Sequence, residues 1–240
     1  MFKKNIHVFD SLPSTNDEAK RQALLGAPSR SVYVAKKQSA GKGRLGRKFL
    51  SMDDKGLYFS ILLTPLEEKN FIHTELITLH AAMSVCKAIE DLSGHTCDIK
   101  WPNDILIHNK KICGILSESS ITSGKSDYII IGIGLNVNNT YFDNSIAKKA
   151  SSLYIELKQI FSKTKILNSI LDNFFKFSFD LSLYKKKCIS LGKKVEATYE
   201  QKKVTGIAVD IDSKGNLIIN TTSNQKIKIH SGDVCIQTFQ

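Results

Sequence analysis

The sequence predicts an α+β fold: a mixed β-sheet packed with helices, followed by a small β-barrel-like unit. Three observations carry this. Strand-like runs come in succession and are then followed by helical segments, the order of an α+β chain. From Gly192 onward only short β segments joined by turn chemistry remain. The 240 residues, 42% hydrophobic and 24% charged, suit one large globular domain with an appendage. The expected division is a larger domain over residues 1–188 and a small β domain over 189–240.

Ile6–Phe9 reads as a short strand. Ser14 or Asn16 can cap a helix with Asp17 and Glu18 in its first turn and Gly26 beyond its end. Val32–Lys37 alternates like a strand, and the Gly-rich, basic stretch 38–55 reads as a loop. Gly56–Leu63 is aromatic and β-branched, a strand stopped by Pro65. Ile72, Leu76, Leu79 and Met83 fall at helical spacing, predicting a helix over Ile72–Leu92 ended by Gly94. Strands follow at Cys97–Trp101, Asp104–His108 and Lys111–Glu118, the last two joined by a turn at His108-Asn109-Lys110. Ser126–Asn138 reads as a buried strand and Thr164–Tyr184 as one long helix. The C-terminal unit has strands at Lys194–Tyr199, Lys203–Ile211, Asn216–Asn220, Lys226–His230 and Val234–Thr238, with a turn at Asp212-Ser213-Lys214-Gly215.

The net charge of +11 raises nucleic acid as a partner. Only four arginines contribute, Arg21, Arg30, Arg44 and Arg47, and the lysines are spread along the chain. That pattern fits solvated faces better than a focused basic stripe. Lys185-Lys186-Lys187 and Lys193-Lys194 are local clusters that suit an acidic partner. The five cysteines (Cys86, Cys97, Cys113, Cys188, Cys235) form no CxxC pair, which argues against a zinc site or a disulfide framework and for buried thiols in a reducing compartment. No signal-peptide core opens the sequence, and the apolar run Tyr128–Val137 is too short to span a bilayer. A cytoplasmic location is expected.

Two motifs carry the chemistry. Gly41, Gly43 and Gly46 alternate with Lys42, Arg44, Arg47 and Lys48. Glycines let a backbone approach a ligand closely, and exposed N–H groups with an arginine fork suit phosphate or carboxylate. The spacing is not that of a P-loop. On its own the motif says only "anion", and a solvated basic loop has the same composition. The second motif is Lys100-Trp101-Pro102-Asn103-Asp104, followed by Lys111-Ile112-Cys113-Gly114-Ile115-Leu116. Pro102 forces a turn that presents Asn103 and Asp104 at the mouth of a hairpin. Asp104 can orient a cation, hold a metal or take a proton, or simply belong to an Asx turn.

Together, in this order and spacing, these segments resemble the signature of the biotin–protein ligases, or biotin–[acetyl-CoA-carboxylase] ligases. Ser14-Thr15-Asn16, Gln38, the strand Ile133-Gly134-Leu135-Asn136-Val137-Asn138 and Ala150-Ser151-Ser152-Leu153 extend the resemblance over roughly residues 6–240. It implies an SH3-like β-barrel for the small domain. It also implies ATP with Mg²⁺, biotin as substrate, biotinyl-5′-AMP as intermediate, and a lysine of a biotin carboxyl carrier protein as acceptor. A homodimer is a further candidate assembly. Ser14 lies so near the start that the DNA-binding domain of some members finds no room, so a monofunctional ligase without operator binding is expected.

By the same resemblance, Ser14, Thr15, Asn16, Gln38, Lys42, Gly43, Arg44 and Lys111 hold biotin. Arg44, Arg47, Trp101, Asn103, Lys111 and Asn136 hold ATP or the adenylate. Lys111, Arg44 and Asp104 are the candidate catalytic residues, with Mg²⁺ expected near Asp104. The physics agrees: two anions about 4 Å apart repel by about 4 kcal/mol at an effective dielectric near 20, which a cationic loop and a poised lysine reduce. Lys42 replaces the family's usual arginine and Phe49 its usual tryptophan. A lipoate or octanoate ligase or transferase of the same fold is the nearest alternative. A basic nucleic-acid-binding protein is the non-enzyme alternative, and an inactive scaffold a third.

Overall fold

The computed structural model describes residues 5–51, 54–64, 74–122, 125–199, 202–230, 232 and 234–237. The first half runs β1 (Asn5–Leu12), α1 (Thr15–Leu24), β2 (Ser31–Gln38), β3 (Leu57–Leu63), α2 (Ile77–Ser93), β4 (Asp98–Lys100), β5 (Asp104–Ile107), β6 (Lys110–Thr122) and β7 (Lys125–Leu135). Four helices follow: α3 (Asn144–Ala147), α4 (Leu153–Leu157), α5 (Lys163–Lys176) and α6 (Leu181–Lys187). The chain then passes through β8 (Lys194–Tyr199), β9 (Lys202–Ile211), β10 (Leu217–Thr221), β11 (Lys226–Ile229) and β12 (Val234–Ile236). Pro65, Ile72 and Thr238 of the expected elements lie outside the described residues.

The larger sheet has the order β1-β2-β3-β7-β6-β5-β4. Only β1 and β2 pair in parallel, joined through α1; the other pairs are antiparallel, so the sheet is mixed. Every residue of β3 is buried, because both faces are covered. Leu62 and Ile130 face Ala19 and Tyr33 on the α1 side, while Phe59, Ile61, Ile131 and Ile133 join the main core with α2 and α5. A buried aliphatic side chain of this kind stabilises the fold by about 1.5–3 kcal/mol.

Local chemistry sets the boundaries. Gly94 ends α2 in the left-handed region at φ 72°, its N–H donating to Glu90 O. His108 and Asn109 both take positive φ, the pairing a two-residue hairpin turn requires. The single helix expected over Thr164–Tyr184 is two. Phe177 is extended (φ −104°, ψ 141°), and Asp180 starts α6 by accepting from the N–H groups of Ser182 and Leu183. The apolar spacing continues across this break because Phe179 and Tyr184 pack beside each other, and spacing alone does not show it. Helices α3 and α4 were not expected; Asp143 and Ser152 cap them. The stretch read as a plain loop holds a single 3₁₀ turn at Arg44–Gly46 and closes its neck with bridges Gln38↔Ser51 and Lys42↔Lys48. Four cysteines are buried as expected, but Cys235 is exposed.

The smaller sheet is antiparallel in the order β11-β10-β9-β8-β12 and forms the SH3-like unit. It shares one apolar core with the larger sheet. The Trp101 indole Nε1–H donates to Gly215 O at 3.0 Å, and Ile189 N–H donates to Ile99 O at 2.9 Å. Among the described residues no helix is long and apolar enough to cross a membrane.

Candidate active site

The segment after β1, the basic loop, the β4–β5 turn and strands β6 and β7 converge on one cavity of about 140 Å³. Ser14, Thr15, Asn16, Gln38, Lys42, Gly43, Arg44, Arg47, Asn103, Asp104 and Lys111 all line it. These residues span almost a hundred positions of sequence, and the sheet order brings them together.

At one end sit the polar groups that follow β1. Ser14 precedes α1 in extended conformation without a side-chain capping bond. Thr15 N–H donates to Gln38 Oε1 at 2.7 Å, and Asn16 Nδ2 donates to Glu118 Oε2 at 2.6 Å. Asn16 is seated where β7 carries Gly132: a Cβ there would lie 2.1 Å from Asn16 Oδ1.

At the other end are the charges. Lys111 Nζ lies 2.7 Å from Asp104 Oδ1. Arg44 Nη1 donates to Asn103 Oδ1 at 3.0 Å, and Asn103 Nδ2 donates to Ile115 O at 2.9 Å. Burial holds the Arg44 pKa below the ordinary arginine value, while Asp104 pulls it back up and Arg47 lowers it further. Arginine remains a cation at neutral pH under such a shift. The Lys111 backbone is fixed from outside the hairpin: its N–H donates to Lys149 O and its carbonyl accepts from Ser151 N–H, both at 2.9 Å. The Ala150-Ser151-Ser152 segment thus braces the lysine strand. In the basic loop Gly43 N–H donates to Arg47 O at 2.7 Å, Leu45 takes φ 54°, and Lys42 pairs with Asp17.

Two expected residues stand elsewhere. Trp101, with a cis peptide bond to Pro102, is 2% exposed and borders a neighbouring cavity of about 440 Å³ between the two sheets. Asn136 is buried with Nδ2 donating to Ser151 O at 2.9 Å, outside the lining. The lining also includes residues that sequence reasoning did not assign to the site: Phe49, Gly114, Ile115, Leu116, Gly132 and Gly134. The alternate glycines of Gly132-Ile133-Gly134 were the available signal, since glycine in a strand marks close approach. Among the described residues no group of three or more His, Cys, Asp or Glu side chains is placed to hold a metal.

Residues 8–136 match the model of the biotin/lipoate A/B protein ligase family. The chain belongs to that family. Residues 190–236 match the biotin protein ligase C terminal domain, so the chain is a ligase of the biotin kind with both characteristic parts. The ligase is 34% identical over 236 residues to the bifunctional ligase/repressor BirA of Bacillus subtilis, covering 94% of this chain and 72% of that one. It is 24% identical over 255 residues to the biotin--[acetyl-CoA-carboxylase] ligase of Mycobacterium tuberculosis, covering 96% and 88%. Among solved structures, the biotin protein ligase from Aquifex aeolicus in complex with biotin and ATP superposes with a TM-score of 0.82. That pair shares 30% identity, with 98% of this ligase and 99% of the other covered.

Proposed function

We propose that this cavity carries out both half-reactions of biotin ligation and that its two ends divide the work. The enzyme joins biotin to ATP, giving biotinyl-5′-AMP and pyrophosphate, and then transfers biotin to a protein lysine. The acceptor we assign is the lysine of a biotin carboxyl carrier protein. The observation that carries the division of labour is the pair Lys111–Asp104 at 2.7 Å, which lines the same cavity as the polar Ser14–Asn16 segment.

In the first step a biotin carboxylate oxygen attacks the α-phosphorus of ATP. The new P–O bond forms as the bond to the β-phosphate bridging oxygen breaks, and pyrophosphate leaves with that electron pair. Lys111 lies between the two anions and neutralises charge on both; Asp104 holds its ammonium in place. Arg44, steadied by Asn103, presents a cationic fork to phosphate. Mg²⁺ bound with ATP would supply positive charge to the pyrophosphate leaving group. Asp104 is the cavity carboxylate that could meet that ion. Ser14, Thr15, Asn16 and Gln38 receive the ureido end of biotin. Lys42 and Gly43 cover the carboxylate side, and Arg47 the phosphate side. Trp101 and Asn136 act from outside the lining, as supports for the adenylate end. In the second step the acceptor amine attacks the acyl carbon, AMP leaves, and the amine proton passes to solvent.

The test is ATP–pyrophosphate exchange with Mg²⁺, offering biotin, lipoate and octanoate separately. Exchange with biotin alone is expected. Exchange with lipoate instead would overturn the substrate assignment.

A further inference from the structure

The hydrogen-bond network behind the biotin end has a direction, and two buried hydroxyls outside the cavity lining set it. Ser60 on β3 is fully buried and touches both Asn16 Oδ1, at 2.6 Å, and Thr15 Oγ1, at 2.8 Å. A hydroxyl has one proton to give. Asn16 decides where it goes. Its Nδ2 faces two acceptors, Glu118 Oε2 at 2.6 Å and Leu116 O at 3.4 Å, so the amide cannot turn round without setting oxygen against oxygen. Asn16 Oδ1 therefore faces Ser60 and can only accept. Ser60 donates to Asn16, and the Ser60–Thr15 contact is completed by the Thr15 proton.

A second relay fixes Gln38. Ser51, 1% exposed, donates its proton to Phe49 O at 3.2 Å. It can then only accept from Gln38 Nε2, 3.0 Å away. Gln38 Oε1 is thereby turned to Thr15, whose backbone N–H it accepts at 2.7 Å. Thr15 Oγ1 lies 3.1 Å from Gln38 Oε1, within donating reach; with its proton given instead to Ser60, the shorter contact at 2.8 Å, both oxygens keep a lone pair toward a ligand. A ligand N–H completes that arrangement; a ligand without one leaves a lone pair on each oxygen with no donor.

We infer that Ser60 and Ser51 are specificity-determining positioning residues, which hold Thr15 Oγ1 and Gln38 Oε1 as hydrogen-bond acceptors for an N–H of the cyclic urea. This rests on the assignment of that end of the cavity to biotin. It gives the site a chemical reason to refuse a dithiolane such as lipoate, which offers no N–H.

The experiment compares Ser60→Ala and Ser51→Ala with the wild-type enzyme in pyrophosphate exchange, varying biotin, lipoate and ATP in turn. For each variant the biotin KM is expected to rise about tenfold, with kcat and the ATP KM within about twofold. The biotin-to-lipoate ratio of kcat/KM should fall about tenfold, because the acceptor pair no longer excludes the ligand that lacks an N–H. Where Ser60→Ala does not fold, Ser51→Ala at the neck of the basic loop decides alone. A folded variant with an unchanged biotin KM and an unchanged ratio overturns the inference, as does an ATP KM that rises in step. A wild-type enzyme silent with biotin overturns the substrate reading instead, and the two failures are distinguishable.

Discussion

Lys111 reaches Asp104 along the sheet and not across it. In the β5–β6 ladder Asp104 stands opposite Gly114, while Lys111 stands opposite Leu106, beyond a register shift at Ile105/Leu106. The lysine side chain runs back over Gly114 to place Nζ 2.7 Å from Asp104 Oδ1. A Cβ at Gly114 would lie 3.1 Å from both Lys111 Cε and Nζ. The glycine is the track that the Lys111 side chain lies on.

Lys111→Ala is expected to lower biotin-dependent pyrophosphate exchange by at least about a hundredfold, since it removes the cation proposed to stabilise the meeting of the two anions. The melting temperature should stay near that of the wild type, because Lys111 is only half-buried and its backbone bonds remain. A folded variant with near-normal exchange would remove Lys111 from the mechanism.

Gly114→Ala tests position without removing a group. The added methyl displaces the lysine by a few tenths of an ångström, and kcat is expected to drop about tenfold at constant stability. Equal kcat in stopped-flow and steady-state assays of both proteins would show that the lysine path tolerates the methyl.

Arg44→Gly should form biotinyl-5′-AMP and lose it. The guanidinium and its bond to Asn103 are the loop's tie to the β4–β5 turn. A filter assay of retained adenylate is expected to show dissociation at least about tenfold faster, as for loss of one charge-assisted hydrogen bond. Retention equal to wild type would rule out the loop as a clamp.

Stability should fall on mild acidification because of His80. It is 4% exposed, and its Nε2 lies 2.7 Å from Phe174 O, so the neutral ring donates there. Burial lowers its pKa, and the bond to Phe174 raises it by less. With the folded pKa below the unfolded one, the unfolded chain binds the extra proton. This contribution is complete above the unfolded pKa, about 6.5, and is lost as pH falls through the folded value. Urea midpoints at pH 7.5 and 5.5 should differ more for the wild type than for His80→Gln. Equal differences would place the acid sensitivity elsewhere.

Much of this was legible before the fold was known. The two motifs named the residues of the charged end, and alternation placed nearly every strand, because both depend on short-range spacing. The turn at His108-Asn109 was legible for the same reason. What escaped depends on contacts distant in sequence. Ser60 reads as a core strand residue until Asn16 is found beside it, 44 positions away. Gly132 reads as one more residue of a buried strand until the Asn16 amide is seen in the space it leaves. The break between α5 and α6 escaped because the aromatic spacing continues through it.

The Trp101 bond to Gly215 has a consequence for cooperativity. Trp101 sits two positions before Asn103, so the turn that holds Arg44 is anchored on one side by the small sheet. The indole is buried against a carbonyl in the β9–β10 turn of the smaller sheet, and the two sheets share one core. Unfolding of the small sheet therefore exposes a tryptophan and strips the support from the β4–β5 turn in the same event. A single calorimetric transition is expected, with tryptophan fluorescence and loss of exchange activity superimposing on it. A fragment ending at residue 188 would retain every residue of the cavity lining and still lack the floor beneath one of its walls.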